Sequence, residues 1–324
     1  MKKRSKELTL FIIFVCIFII LSILSPDRFL SIDNFQSMAS QLPEFGIIAI
    51  GMMVVILTGG IDLSITSIAA LSGISGAYFM TKSLELGISE PVSILVGVIS
   101  IFVVAVICGL INGGIVAYIG VAPMLVTLGT MAVFEGISLN VTKGGAISGF
   151  PDAYSWFGNG SLMGIPVPML LFIVVAIIGA IILERTPWGV SVYMLGNNPL
   201  ATMYSGINIK KVQLRVYIFS ALMAGISALI MTSRYNSAKV DYGSSYLLQS
   251  VAAVVLGGTD IAGGYGKVIG TVIAVAIIQC ISSGFNLLGI NRYLTDITMG
   301  VILLLVLAIN FFSQRRHSFK LVSR

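Results

Sequence analysis

Apolar residues arrive in runs of roughly 20, the length an α-helix needs to cross ~30 Å of hydrocarbon, and the short-period alternation of barrel strands is absent. Such runs fall at 8–25, 42–59, 63–81, 91–112, 121–140, 166–184, 215–233, 247–262, 267–285 and 294–313. Backbone N–H and C=O groups in hydrocarbon have no water to bond, so each run must satisfy its own as a helix. The pattern predicts an all-α polytopic bundle of about ten spans, a single transmembrane domain over residues 1–324. One polar interruption is much longer than the others, at about 185–214. There Asn198 is placed to cap a short helix opening at Pro199, where a missing N–H costs nothing, and Gly206 to stop it after Ser205. That helix either offers Leu200, Met203 and Tyr204 to a groove on another protein or lies flat on the membrane surface.

Composition agrees with the pattern: 57% of the residues are hydrophobic, only 10% are charged and the mean hydropathy is +1.02, which excludes a soluble fold of this length. With the N-terminus inside, the inner segments hold thirteen of the nineteen Lys and Arg residues, among them Arg185, Lys210, Lys211, Arg215 and Lys267. The outer segments hold the other six: Arg28, Lys82, Lys143, Arg234, Lys239 and Arg292. Basic loops resist translocation, so this bias and an even span count put both termini in the cytoplasm. The net charge of +6 follows from the same membrane-flanking residues and calls for no nucleic acid. The first apolar run, Leu8 to Leu24, is too long for a cleaved signal and is expected to stay as a span.

Catalytic chemistry finds little footing. His317 is the sole histidine and sits in the C-terminal tail, Cys16, Cys108 and Cys280 are scattered singly, and no phosphate-binding GxxxxGK[ST] loop occurs. No metal or cofactor is expected, and any ATP hydrolysis must come from a partner. Acidic residues cluster near span ends, which disfavours an ion-coupled carrier built on mid-membrane carboxylates.

Two turns are related, Leu57-Thr-Gly-Gly-Ile-Asp62 and Leu256-Gly-Gly-Thr-Asp260, each closing one span and opening the next. Paired glycines permit tight turns and close backbone approach, and Asp62 with Ser64 can cap the helix that follows. An acid so near hydrocarbon is costly, so Asp62 is also a candidate for gating or the translocation pathway, with Asp260 as its weaker counterpart. Thr127, Met131 and Glu135 recur at four-residue spacing on one helix face, and Glu135 either serves that pathway or pairs with Lys143. The 141–165 loop carries Tyr154 and Trp156, as interfacial anchors or as part of a docking surface.

Four segments resemble, in order, the signatures of the ribose-type sugar permeases of bacterial ABC transporters. They are Leu57 to Ser64, Pro123 to Met131, the 185–214 stretch through Gly196, Asn197, Ala201, Ser205, Gly206 and Ile207, and Ala252 to Thr259 with Gly263 to Gly266. The resemblance implies that the polar stretch is a cytoplasmic coupling loop, with Gly196, Asn197, Pro199, Ala201, Ser205, Gly206 and Ile207 meeting the ATPase. It also implies cytoplasmic ABC ATPase subunits, a second permease subunit forming a homodimer or heterodimer, and an extracytoplasmic solute-binding protein, all at the bacterial inner membrane. The expected solute is small and polar, a monosaccharide first; a nucleoside, an amino acid or another non-sugar solute is the alternative, with an ion-coupled secondary carrier behind it. This chain departs from the family pattern at Thr202 for Ala, at Asp260 for Ser, at Leu247 and Gln249 where two acids are usual, and at Glu135 where Arg is usual.

Overall fold

The computed structural model describes residues 4–291 together with 294, 297, 298, 300, 301 and 304. Most of the expected span 294–313, and the tail holding His317, lie outside the described residues. Helices α1 (Arg4–Leu24) and α2 (Pro26–Phe29) lead into α3 (Ile32–Leu57), α4 (Ile65–Glu85) and α5 (Glu90–Gly114), and α5 runs on as a π-helical turn over Ile115–Ile119. Next come α6 (Pro123–Thr142), strand β1 (Ile147–Ser148), α7 (Asp152–Asn159), strands β2 (Ser161–Leu162) and β3 (Ile165–Pro166), and α8 (Val167–Arg185). The polar interruption folds as α9 (Pro187–Asn197) and α10 (Pro199–Tyr204), followed by α11 (Ile209–Tyr235), strand β4 (Ser237–Ala238), α12 (Tyr246–Leu256) and α13 (Val268–Leu287). Among the described residues the strands form two short antiparallel pairs, β1 with β4 and β2 with β3, and the fold is all-α.

Helix α3 lies at the centre, its whole second half buried against α4, α8, α11, α12 and α13. In a bilayer, burial from lipid tails gains little, so helices associate where small residues let backbones approach. Gly76 and Gly97 do this between α4 and α5, since a side chain on either would strike Ile101 or Met80. Gly109 does it between α5 and α11, where a Cβ would meet Ala221 and the Tyr217 carbonyl.

Among the described residues seven helices are long and apolar enough to cross a membrane: α1, α3, α5 with its π-helical turn, α6, α8, α11 and α13. Helix α4 has the length but carries many hydroxyls; it faces protein rather than lipid, with Ser72 fully buried. The expectation of a span at 247–262 needs correction. Helix α12 has 11 residues, about 16 Å at 1.5 Å per residue, because paired glycines at Gly257 and Gly258 end it halfway. Helix α3 begins at Ile32 rather than at 42, capped by Ser31, whose hydroxyl accepts the Asn34 N–H at 3.2 Å. Pro43 lies inside the helix.

Candidate coupling and translocation site

The elbow between α8 and α11 forms as its residues dictate. The Asn198 side chain accepts the Ala201 N–H at 3.0 Å to cap α10, Pro199 occupies the first position, and Gly206 ends the element at φ +79°. Leu200, Met203 and Tyr204 project outward, Tyr204 with 84% of its surface exposed. Helix α9 ahead of it is anchored rather than loose: Val192 and Leu195 are buried, and the Trp188 ring lies 5.8 Å from that of Phe219 on α11.

The end of α9 is where the separated motifs converge. The Asn197 amide donates to the Gly264 carbonyl at 3.0 Å, the Tyr193 hydroxyl donates to the Gly266 carbonyl at 2.9 Å, and the Gly264 N–H donates to the Leu57 carbonyl at 2.8 Å. Gly196 fits between these turns only because it has no side chain; a Cβ there would run into the Leu57 carbonyl and the Gly264 amide. The two related glycine turns and the elbow therefore make one backbone junction. Asp260 shapes the second turn by accepting the Ala262 N–H at 3.0 Å, while its own N–H donates to the Tyr265 carbonyl. Beside this junction Lys267 pairs with Glu7 at 2.6 Å, and that carboxylate raises the lysine's pKa.

Asp62 and Ser64 are fully buried, and the carboxylate does not cap the first-turn amides of α4. Its Oδ1 accepts the Ser64 N–H at 3.1 Å and the Ser64 hydroxyl at 2.6 Å, and its Oδ2 accepts the Ser220 hydroxyl at 3.0 Å. The Asn112 amide donates to Ser64 Oγ at 2.7 Å. Asp62 thus joins the α3–α4 turn to α5 and α11. Thr127 adds α6 by donating its hydroxyl to the Ile61 carbonyl at 3.1 Å. Met131 and Glu135 leave that cluster and line a cavity of about 370 Å³ together with Leu247. Glu135 is exposed, and no ion pair joins it to Lys143 among the described residues.

One constellation escaped sequence reasoning. Glu44, midway along α3 and fully buried, pairs with Arg234 Nε at 3.0 Å and accepts the hydroxyls of Tyr246 at 2.6 Å and Tyr235 at 3.2 Å. The rule that acids keep to span ends fails here because α3 starts ten residues earlier than its hydropathy suggests. Tyr154, read as an interfacial anchor, is also buried, bonded through its hydroxyl to Thr232 Oγ1 at 2.6 Å. Trp156 beside it stays half exposed.

Seven helices long enough to cross a membrane, buried polar ties between them and an elbow whose α10 projects outward are those of a multi-span membrane protein. The chain belongs to the family described as the branched-chain amino acid transport system / permease component, which its residues 34–307 match. It is 37% identical over 312 residues to the ribose import permease of Bacillus subtilis (strain 168), a match covering 96% of this chain and 93% of that protein. It is 39% identical over 311 residues to the ribose import permease of Haemophilus influenzae, covering 94% of each. The autoinducer 2 import system permease of Yersinia enterocolitica is 33% identical over 300 residues, or 91% of this chain and 88% of that one. No solved structure matches the chain. It is a multi-pass inner-membrane permease component, and ATP hydrolysis belongs to a separate subunit.

Proposed function

We propose that this chain is one permease subunit of an ATP-driven importer of a monosaccharide, working as a dimer with a second permease subunit, identical or sibling. The chain crosses the membrane ten times, once by way of the half-length α12, and both termini lie in the cytoplasm with the elbow. Cytoplasmic ABC ATPase subunits close on ATP and push on α10, held through Gly196, Asn197, Pro199, Ala201, Ser205, Gly206 and Ile207. The carrying observation is the junction at Gly196 and Asn197, which binds the elbow to the turns after α3 and after α12. A push on α10 cannot stay local, because those turns are the ends of the central helix and of the half-length helix beside it. Asp62, Ser64 and Thr127 keep the α3–α4 turn in register with α5, α6 and α11 during the movement, and Asp260 does the same for the α12–α13 turn. Glu135 faces the second subunit or the shared route. The solute class rests on relatives named for ribose and autoinducer 2.

Purifying the tagged chain from its own membranes should bring down a P-loop ATPase. Proteoliposome uptake of tritiated monosaccharide should require ATP, that ATPase and an extracytoplasmic solute-binding protein. Full-rate uptake by the chain alone would refute the proposal.

A further inference from the structure

A cavity of about 680 Å³ lies at the end of the bundle opposite the elbow, between the first half of α3, the start of α12 and the end of α13. None of the coupling or pathway residues expected from the sequence lines it, although Gln249, a departure from the family pattern, does. Its size falls within the ~300–1,000 Å³ typical of small-molecule sites.

Its lining is specific in kind. Gln41, Gln249 and Gln279 come from three different helices, and each carries a donor and an acceptor on one side chain. The Gln249 side-chain amide meets no partner among the described residues, Gln41 donates to Ser37 Oγ at 2.8 Å, and Gln279 reaches Gln41 only at 3.4 Å, so a solute hydroxyl can bond Gln249 and replace the long contact between the other two. Ser283 adds a hydroxyl already oriented by donating to Asn34 Oδ1 at 2.7 Å. The rings of Phe45 and Tyr246, 5.9 Å apart, supply apolar faces. The one deep charge, Arg234, is matched by Glu44 behind it. Asp27, Arg28 and Asp33 sit at the end of the bundle, on α2 and the start of α3. Past those three charges, in the depth of the cavity, an ionic solute would lose its hydration without gaining an unmatched countercharge, whereas a neutral polyol replaces each lost water with an amide or hydroxyl.

We propose that this cavity is a binding site within the single subunit for a neutral polyhydroxylated solute of monosaccharide size, read out by Gln249, Gln279 and Gln41. The assignment rests on the importer reading above and adds to it where in the subunit the solute is held.

The test uses the complete transporter in proteoliposomes, with tritiated D-ribose, D-xylose, D-galactose and myo-inositol as probes. Each loss of a neutral hydrogen bond is expected to raise the uptake KM about tenfold, so Gln249→Leu and Gln279→Leu should each do so for whichever probe the wild type carries. Assembly with the ATPase, scored by co-elution, confirms that those variants fold. A readout independent of any variant is hydroxyl-radical footprinting of the wild-type transporter. Met38, Tyr235 and Tyr246, which line the cavity, should lose reactivity when the carried sugar is present, while the exposed Met163 should not. Wild-type uptake with unchanged footprints, or with both variants assembled and within twofold of wild type, overturns the cavity assignment alone. A wild type that carries none of the four probes overturns it together with the importer reading.

Discussion

Gly196 and Gly206 stand ten residues apart in the elbow and are constrained by opposite causes. Gly206 has open space around it but a φ of +79°, which costs an L-residue roughly 1–2 kcal/mol and a β-branched one more. Gly206→Val should therefore abolish ATP-driven uptake while the chain still inserts, and Gly206→Asn, which tolerates the left-handed region, should keep most of it. Gly196 instead has no room, and Gly196→Ala should uncouple ATPase turnover from uptake by prying the elbow from Leu57 and Gly264. Parallel ATPase and uptake assays check all three; normal uptake by the Val variant would break the link between the elbow and transport. The two glycines were visible in the sequence as motif positions, but only Gly206 had a readable reason, the helix stop. The crowding at Gly196 depends on Leu57 and Gly264, 139 residues before it and 68 after it, and no local pattern encodes that distance. Asp62 was legible as an expensive buried acid, yet its actual partners, Ser220 and through Ser64 also Asn112, come from helices whose approach the sequence does not state.

At the scale of elements, hydropathy located most helices, α4 among them despite its hydroxyls, and misjudged the extent of two: α3 extends through a polar segment that borders a cavity, and α12 stops halfway at its glycines. Residue pairs between such elements carry the fold. Glu44, Arg234 and Tyr235 tie α3 to the last turn of α11, and Tyr246 brings in the start of α12. Losing one member strands a buried charge, at a cost of about 3 kcal/mol, toward the low end for buried pairs because the arginine keeps some solvent contact. Glu44→Gln and Arg234→Gln should each lower the thermal unfolding midpoint of the detergent-solubilised protein, and the double variant should regain at least half of the loss. Additive losses would mean that the pair is not coupled.

Across the whole molecule, the proposed orientation has a direct check. In a chain carrying Cys16→Ser, a membrane-impermeant maleimide applied to spheroplasts should label Leu162→Cys at once and Tyr204→Cys only after permeabilisation. Labelling of Tyr204→Cys from outside would invert the arrangement and remove the ATPase from the elbow. The sequence by itself determined that this is a helical membrane protein and that its polar elbow forms a capped helix, because length and capping are properties of short stretches of chain. Tertiary structure alone decided that the elbow is clamped to two distant glycine turns, that Glu44 meets Arg234, and that three glutamines share one cavity. Those facts arise from close approach between helices remote in the chain, and contacts of that range exist only once the bundle has packed.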